Sequence, residues 1–309
     1  DVAKMKSLSD VHPYQPIDTI QGSLEMLFEL MKDLKEVSGM DAMTLQPAAG
    51  AQGELTGLMA IKSYHLAKGN DHKVEIIVPD AAHGTNPATA AMVDFELVEI
   101  PSGPNGGVDV EALKEAVNEN TAGLMLTNPS TIGIFEEHIE EISKLIHDVD
   151  GLLYYDGANM NAIMGKARPG DMGFDVMHFN LHKTFSTPHG GGGPGAGPVG
   201  VKEKLIPYLP VPIIEEQDGK FILNYDKEET MGKVKSYYGN YGILLRAYTY
   251  IKSLGGEGLQ EASEIAVLNA NYMMKKLKDT YELPFDQVCK HEFVLSHIRG
   301  TKGIKTLDI

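Results

Sequence analysis

Short apolar runs alternate with amphipathic helical patterns along much of this chain, and this alternation constrains the fold more than any other feature. Five runs have the length and composition of strands, at residues 74–78, 95–100, 123–126, 152–155 and 176–179. Helical patterns separate several of them, notably at 110–117 and 137–148. Buried strands separated by helices are typical of a parallel sheet covered on both faces. We therefore predict an α/β fold with a mostly parallel sheet.

Further helices flank this alternating region. Residues 20–37 have helical apolar spacing, with Asp18 or Thr19 expected to cap the start and Gly39 to end it. A second helix is expected from about Gln52 to Lys68. Two long helical stretches, 242–254 and 259–277, would carry the chain from a large domain that contains the sheet into a smaller C-terminal one.

The domain organisation follows from these elements. We expect a large domain at residues 1–255 and the start of a smaller C-terminal domain at residues 256–309. A strand-like run at 292–295 lies close to the last residue. The sequence therefore indicates a truncated C-terminal domain and a fragment of a longer protein.

The composition of the chain limits which binding partners and which cellular compartment are expected. The 309 residues carry a formal net charge of −16, which disfavours nucleic acid and anionic membranes as binding partners. The single cysteine, Cys289, excludes an internal disulfide and favours a reducing compartment. No apolar run is long enough to span a bilayer. A cytoplasmic location is expected.

Lys183 is the first candidate for chemistry. It follows the strand-like run 176–179 within the segment FNLHKTF, so it is expected near the edge of the sheet where α/β folds bind ligands. Partial desolvation there would lower the pKa of its amine and make it a nucleophile for an aldehyde. The alternative is an ordinary surface lysine.

Asp156 ends the apolar run of the segment LLYYDGAN. A buried carboxylate there needs a cationic partner, and a protonated pyridine nitrogen is one. The alternative is an aspartate that caps a helix. The segment LLYYDGAN followed by the segment FNLHKTF is a rarer combination than either segment alone.

Three loops on the same predicted edge supply further candidates. Ala49, Gly50 and Ala51 precede a helix, so their main-chain N–H groups could hold a phosphate. His83 follows the run 74–78 and could either stack on an aromatic ring or cap the next helix. Thr127 follows a third strand-like run and could line the same pocket.

Other patterns favour structural roles, and no metal site is predicted. The cluster of Glu136, Glu137 and His138 is expected to be a solvated helix face. Met26, Met31, Met273 and Met274 are expected to fill the core. The glycine run at 190–193 lacks the Walker arrangement and is expected to form a mobile loop.

Five long motifs, taken together, resemble the glycine decarboxylase P-protein family, most closely the second subunit of its two-subunit bacterial form. They are LQPAAGAQGELTGL at 45–58, PDAAHGTNPA at 79–88, MLTNPSTIGIFE at 125–136, YYDGANMNAIMG at 154–165 and HFNLHKTFSTPHGGGGPGAGPVGV at 178–201. The likeness continues to HEFVLS at 291–296. The family has further sequence at both ends, and we expect both extensions to be missing here.

The resemblance implies an aspartate-aminotransferase-like, fold type I pyridoxal-phosphate enzyme. Lys183 would hold the cofactor covalently, Asp156 would pair with its pyridine nitrogen, and His83 would stack on its ring. The turn Ala49-Gly50-Ala51 would bind the phosphate. Ala158, Asn159, Thr127 and His182 would lie close to the cofactor.

The resemblance also implies a reaction and its partners. Glycine would lose its carboxylate, and the aminomethyl group would pass to the lipoyl arm of the H-protein. The companion P-protein subunit 1 is a further expected partner. The chain has only three arginines, and we expect that none of Arg168, Arg246 and Arg299 clamps the reacting carboxylate.

Two other functions stay open at this point. The chain could be another fold type I enzyme that acts on a small amino acid, such as a hydroxymethyltransferase, an aldolase or an aminotransferase. It could instead be a subunit that organises a complex without a cofactor.

Overall fold

The computed structural model describes residues 1–189, 195–301 and 306–308 of the chain. The predicted mobile loop at 190–193 lies outside these residues.

A seven-stranded mixed sheet forms the centre of the fold, with strand order β1-β7-β6-β5-β4-β2-β3. All five predicted strands are present and parallel to one another. Only β7 breaks the pattern, because it runs antiparallel to both of its neighbours. The strands are β1 (Ala42–Thr44), β2 (Glu75–Pro79), β3 (Glu96–Ile100), β4 (Thr121–Leu126), β5 (Leu152–Gly157), β6 (Val176–Phe179) and β7 (Val199–Val201). A separate hairpin pairs β8 (Ile213–Gln217) with β9 (Lys220–Asn224).

Helices cover both faces of this sheet. They are α1 (Lys6–Ser9), α2 (Gln21–Ser38), α3 (Gly50–Ala67), α4 (Thr85–Met92), α5 (Val110–Ala116), α6 (Ile139–Asp148), α7 (Leu181–Thr184) and α8 (Tyr241–Leu277). Short 3-10 turns add Val2–Lys4, Ile17–Thr19, Pro169–Met172, Glu203–Tyr208 and Thr306–Asp308.

The two ends of α2 show one correct and one wrong prediction. Gly39 ends the helix in the left-handed conformation with a φ of 71°, as its lack of a Cβ allows. The predicted caps are wrong, because Ile20 occupies the cap position and no side chain bonds to the free N–H groups. Asp18 and Thr19 instead belong to the preceding 3-10 turn, where the Thr19 hydroxyl donates to the Pro16 carbonyl over 2.7 Å.

The period-two alternation of strand side chains divides the core into two layers. Leu153, Tyr155 and Met177 pack with α2, α6 and the first part of α8. Tyr154 and Val176 face the other way and pack with Leu58 and Ile61 of α3. These two clusters confirm the predicted α/β architecture with helices on both faces.

Small residues allow α3 to approach the sheet closely. Gly53 and Gly57 lie three and seven positions after Gly50, on one face of the helix. A Cβ on Gly57 would lie 2.5 Å from the Tyr154 ring, and one on Gly53 would lie 2.8 Å from the Gly197 carbonyl oxygen. The close packing brings the start of α3 to the end of β6.

The C-terminal part differs from the prediction in detail. The two predicted helices form one long element that breaks at Gly255, whose φ is 66° and ψ −178°. Residues 292–295 form no strand, although Phe293 and Leu295 pack on a small cluster that includes Met274 and Cys289. Met273 is exposed rather than buried. A division into residues 1–255 and 256–309 stays a prediction.

No helix in the described part is both long and apolar enough to cross a lipid bilayer.

Candidate active site

A cavity of about 420 Å³ opens where the parallel strands β2, β4, β5 and β6 end. Every site residue predicted from the sequence lines it. These residues are Ala49, Gly50, Ala51, His83, Thr127, Asp156, Ala158, Asn159, His182 and Lys183. Residues distant in the chain meet here because the carboxyl ends of parallel strands share one edge of the sheet.

Lys183 lies in the short helix α7, directly after β6. Its neighbours anchor it, since Leu181 and Phe185 are fully buried and the Thr184 hydroxyl accepts a hydrogen bond from the Met160 N–H over 3.0 Å. The side chain of Lys183 itself is exposed. Its position on the cavity wall at the sheet edge agrees with the prediction.

Asp156 lies at the end of β5, and only 3% of its surface is exposed. Its Oδ1 accepts a hydrogen bond from the Ala158 N–H over 3.0 Å and lies 3.4 Å from Nε2 of His178 on the neighbouring strand. No helix begins directly after Asp156, because residues 158–166 form a bend and turns, so the alternative role as a helix cap is wrong. The carboxylate is held in place by two strands and faces the cavity.

The start of α3 forms a turn with free N–H groups. Ala49 caps the helix through its main chain without a side-chain hydrogen bond, and the first helical N–H to find a main-chain acceptor is that of Gly53. The N–H groups of Gly50 and Ala51 are thus available at the positive end of the helix, beside the cavity. The helix begins at Gly50, two residues before the predicted start.

His83 lies two residues before α4, where it contacts the first residue of the helix and also reaches the cavity. Its Nδ1 accepts the Thr85 N–H over 3.2 Å and lies 2.7 Å from the Thr85 hydroxyl. The ring also lines the cavity. The role as a cap and a place beside a bound ring are therefore compatible.

Three more predicted residues offer polar atoms at the cavity wall. The hydroxyl of Thr127 and Nδ1 of His182 are buried and have no hydrogen-bond partner among the described residues. The side chain of Asn159 is engaged locally, since Oδ1 accepts the Asn161 N–H over 3.1 Å. Burial, the nearby His189 ring and Lys183 lower the pKa of His182 to about 4, so His182 is neutral at pH 7.

Glu54 is the most informative residue that sequence reasoning missed. It lies in α3 with only 5% of its surface exposed. Its Oε1 is 2.8 Å from the Thr85 hydroxyl and its Oε2 is 3.1 Å from the Thr89 hydroxyl. Burial, and to a lesser extent Asp156, raise the pKa of the Glu54 carboxyl, while His178 and the two hydroxyls oppose the shift.

Glu54, Asp156 and His178 form a buried cluster at the floor of the cavity, which Glu54 and Asp156 line. One oxygen or nitrogen atom from each lies within 4.8 Å of the others. His178 is also bonded through Nδ1 to the Tyr154 hydroxyl over 2.6 Å. Two ionised carboxylates at this separation would repel each other by about 3 kcal/mol at an effective dielectric constant near 20. Because hydrogen bonds already engage these groups, we interpret the cluster as a proton-sharing network.

Other residues on the cavity were also missed. They are Thr85, Thr131, Asn180, His189, His291 and Glu292. Asn180 and His189 flank Lys183 within a motif, and His291 begins HEFVLS, so the motifs contained these residues without giving them a role. Glu54 had no such signal beyond its place in the first motif.

One acidic residue outside the cavity also corrects the sequence analysis. Glu136 was expected on a solvated helix face, but it is buried at 6% exposure. It accepts the Val108 N–H over 2.7 Å and the His138 N–H over 3.0 Å. The residue thus joins two loops.

The three arginines all lie elsewhere. Arg168 pairs with Asp171 and Glu36, Arg299 pairs with Glu282, and Arg246 donates to the Gly242 carbonyl. None of them lines the cavity.

Comparison with known proteins gives a consistent set of matches. The profile of the aminotransferase class-V family matches residues 56–205. The chain is 60% identical over 310 residues to a probable glycine dehydrogenase (decarboxylating) subunit 2 of Alkaliphilus oremlandii, and 58% identical over 315 residues to one of Pyrococcus horikoshii. All of this chain is aligned, against 64% and 63% of those proteins. The chain thus spans a little under two thirds of these relatives.

Two solved structures share the fold. An inhibitor-bound glycine decarboxylase (P-protein) of the glycine cleavage system aligns with a TM-score of 0.79 at 21% identity, over 96% of this chain and 68% of that one. A glutamate decarboxylase from Lactobacillus brevis aligns with a TM-score of 0.70 at 12% identity, over 98% and 72%. These likenesses confirm the predicted fold, the aspartate-aminotransferase-like fold type I.

Proposed function

Because the chain is related along its whole length to glycine dehydrogenase (decarboxylating) subunit 2, we propose that it binds pyridoxal phosphate and takes part in the decarboxylation of glycine. The observation that carries this proposal is the convergence of Lys183, Asp156 and the N–H groups at the start of α3 on one cavity. An amine, a carboxylate and a phosphate-binding turn are the three contacts that this cofactor requires.

The residues present fit the cofactor. The N–H groups of Gly50 and Ala51 at the start of α3 would bind its phosphate. Asp156, buried and fixed by the Ala158 N–H, would hold the proton on its pyridine nitrogen. The buried hydroxyl of Thr127 has no partner among the described residues and would find one in a bound polar group.

Each side chain then has a definite task. Lys183 would supply the nucleophilic amine that holds the cofactor covalently. His83, fixed by Thr85, would pack its ring on the cofactor. When bound, the cofactor supplies an electron sink for the bond that breaks. The charge of Asp156 keeps that sink effective by retaining the ring proton.

The reacting carboxylate meets no arginine in the described cavity wall. A tight bidentate clamp would stabilise the ionised carboxylate before the reaction and so oppose the loss of CO₂. Without such a clamp, the carboxylate of glycine loses less stabilisation when it leaves as neutral CO₂. This arrangement suits decarboxylation better than amino-group exchange between two acids.

The partners of the reaction are part of the proposal. We infer that the aminomethyl group passes to the lipoyl arm of the H-protein, and that the companion P-protein subunit 1 completes the enzyme. The net charge of −16 makes nucleic acid and anionic membranes poor partners. A cytoplasmic location agrees with the single cysteine, which is buried and unpaired.

A borohydride experiment tests the cofactor assignment. The chain mixed with pyridoxal phosphate should gain a visible absorbance band that borohydride removes, and peptide mass spectrometry should locate the reduced adduct at Lys183. Lys183→Ala should lose the band and the adduct, whereas Lys144→Ala, which alters a lysine on the outer face of α6, should keep both. An adduct at another lysine would refute the assignment.

A second assay separates the candidate activities. The chain, combined with subunit 1 and lipoylated H-protein, should exchange labelled CO₂ into the carboxylate of glycine. Transfer to a keto acid or an aldehyde instead would identify another fold type I activity. No cofactor and no exchange would favour an organising subunit.

A further inference from the structure

The buried carboxyl of Glu54 lies between two groups that would contact the cofactor. Through the Thr85 hydroxyl it reaches Nδ1 of His83, by contacts of 2.8 and 2.7 Å. Through the side-chain amide of Asn86 it reaches Asp156, since the amide nitrogen, in the orientation that satisfies its neighbours, donates to Glu54 Oε2 over 3.1 Å and to Asp156 Oδ2 over 3.2 Å. One side chain thus connects both sides of the proposed ring site.

The first connection can accommodate a proton on Glu54. Nδ1 of His83 accepts the Thr85 N–H. The Thr85 hydroxyl has one hydrogen and two possible acceptors, Glu54 Oε1 at 2.8 Å and His83 Nδ1 at 2.7 Å. It donates to Glu54 when Glu54 is ionised, and it can donate to His83 when Glu54 carries the proton and donates to the hydroxyl oxygen.

The partners of Asp156 and Glu54 differ in whether they can accept a hydrogen bond from a protonated carboxyl. Asp156 receives the Ala158 N–H, a donor that stabilises its ionised form, whereas Glu54 is surrounded mainly by hydroxyls that can also accept. Two carboxylates this close cannot both ionise at low cost when both are buried. The environment therefore divides the roles, with the proton on Glu54 and the charge on Asp156.

We propose that Glu54 is a positioning residue that stays protonated beneath the site, so that Asp156 alone carries the negative charge that a pyridine nitrogen needs and His83 keeps Nδ1 as an acceptor. This inference rests on the proposed function for the identity of the ring, but the position of the proton does not. The charged or titratable groups that face Glu54 are Asp156 and Tyr154 on β5 and His178 on β6, with His83 beyond Thr85.

A titration of the cofactor-free chain tests the position of the proton directly. With glutamate carboxyl carbons labelled with ¹³C, one resonance should titrate at higher pH than the surface glutamates and should be absent from Glu54→Gln. Thr89→Val, which removes one hydroxyl from Glu54, should move the same midpoint upward. The shift in Thr89→Val also assigns the resonance to Glu54 if the Glu54→Gln variant does not fold. Titration of Glu54 together with the surface glutamates would refute the proposal.

Cofactor affinity gives an independent readout. Gln at position 54 keeps the shape and neutrality of the protonated carboxyl but cannot ionise. The ratio of the dissociation constants for pyridoxal phosphate, wild type over Glu54→Gln, should be constant at acidic pH and rise about tenfold per pH unit above the Glu54 midpoint, since one proton is linked to binding. A ratio that stays flat across this range would refute the coupling. If no cofactor binds at all, the proposed function fails, while the carbon titration still decides the position of the proton.

Discussion

Gly50 at the start of α3 lies so close to Asn180 at the end of β6 that a Cβ on Gly50 would fall 2.3 Å from Oδ1 of Asn180. The two residues are far apart in the chain, yet their contact sets the distance between the turn proposed to bind phosphate and the helix that carries Lys183. Only glycine leaves room for this approach. The contact therefore joins the two ends of the proposed cofactor site.

Gly50→Ala should weaken pyridoxal-phosphate binding and destabilise the fold. The new methyl group overlaps the Asn180 amide, and overpacking of this kind costs about 1–3 kcal/mol. Urea unfolding and an absorbance titration with the cofactor would measure both effects. Gly22→Ala is the matched control, because Gly22 is also helical, has no atom within 4 Å of the place its new methyl group would occupy, and should be neutral or stabilising when substituted. Recovery in the double variant Gly50→Ala/Asn180→Ala would show that the overlap is the cause, and no effect of Gly50→Ala would contradict it.

Asp156→Asn should weaken cofactor binding roughly tenfold to a hundredfold. The amide keeps the size of the carboxyl and can still accept the Ala158 N–H, but a hydrogen bond to a charged group, worth about 1.5–3 kcal/mol, is lost. The absorbance titration with pyridoxal phosphate measures the change. Affinity within twofold of wild type would show that Asp156 does not hold the ring nitrogen.

The stability of the cofactor-free chain should fall as the pH drops from about 6.5 toward about 4, partly because of His182. Burial lowers the pKa of His182 to about 4 from an ordinary value of 6.5, so in this window the unfolded chain binds a proton that the folded chain does not. The contribution is complete above pH 6.5 and decreases as the pH falls, by about 2 kcal/mol after allowance for partial exposure.

Urea unfolding at pH 7 and at pH 4.5 would measure this contribution. His182→Asn cannot be protonated and should lose less stability between the two pH values than wild type. His72→Asn alters an exposed histidine and should behave as wild type does. Equal pH dependence in wild type and His182→Asn would count against the assignment.

Arg246→Gln should change the KM for glycine by no more than about twofold in the assembled enzyme, the range expected of a surface substitution. The guanidinium donates to the Gly242 carbonyl within α8 and does not line the cavity. Steady-state exchange of labelled CO₂ into glycine provides the KM. An increase of tenfold or more would mean that Arg246 reaches the substrate.

The amino-acid sequence alone predicts the five parallel strands and their helices, because runs such as 152–155 are apolar, are too short for buried helices and alternate with helical patterns. It also establishes which residues can meet, since His83, Thr127, Asp156 and Lys183 all follow strands that end at one edge. Local pattern is enough for both, because each depends on neighbouring residues and on the general geometry of parallel sheets.

The surroundings of these residues, in contrast, depend on tertiary packing. Packing placed Glu54 of α3 against Asp156 and His178 of the sheet, left Lys183 exposed, and made Ile20 rather than Asp18 or Thr19 the cap of α2. The physical reason is that burial, hydrogen bonding and the sharing of a proton depend on groups from distant elements. Their distances are set by contacts such as the close approach of the α3 glycines to the sheet, and no local pattern in the sequence records them.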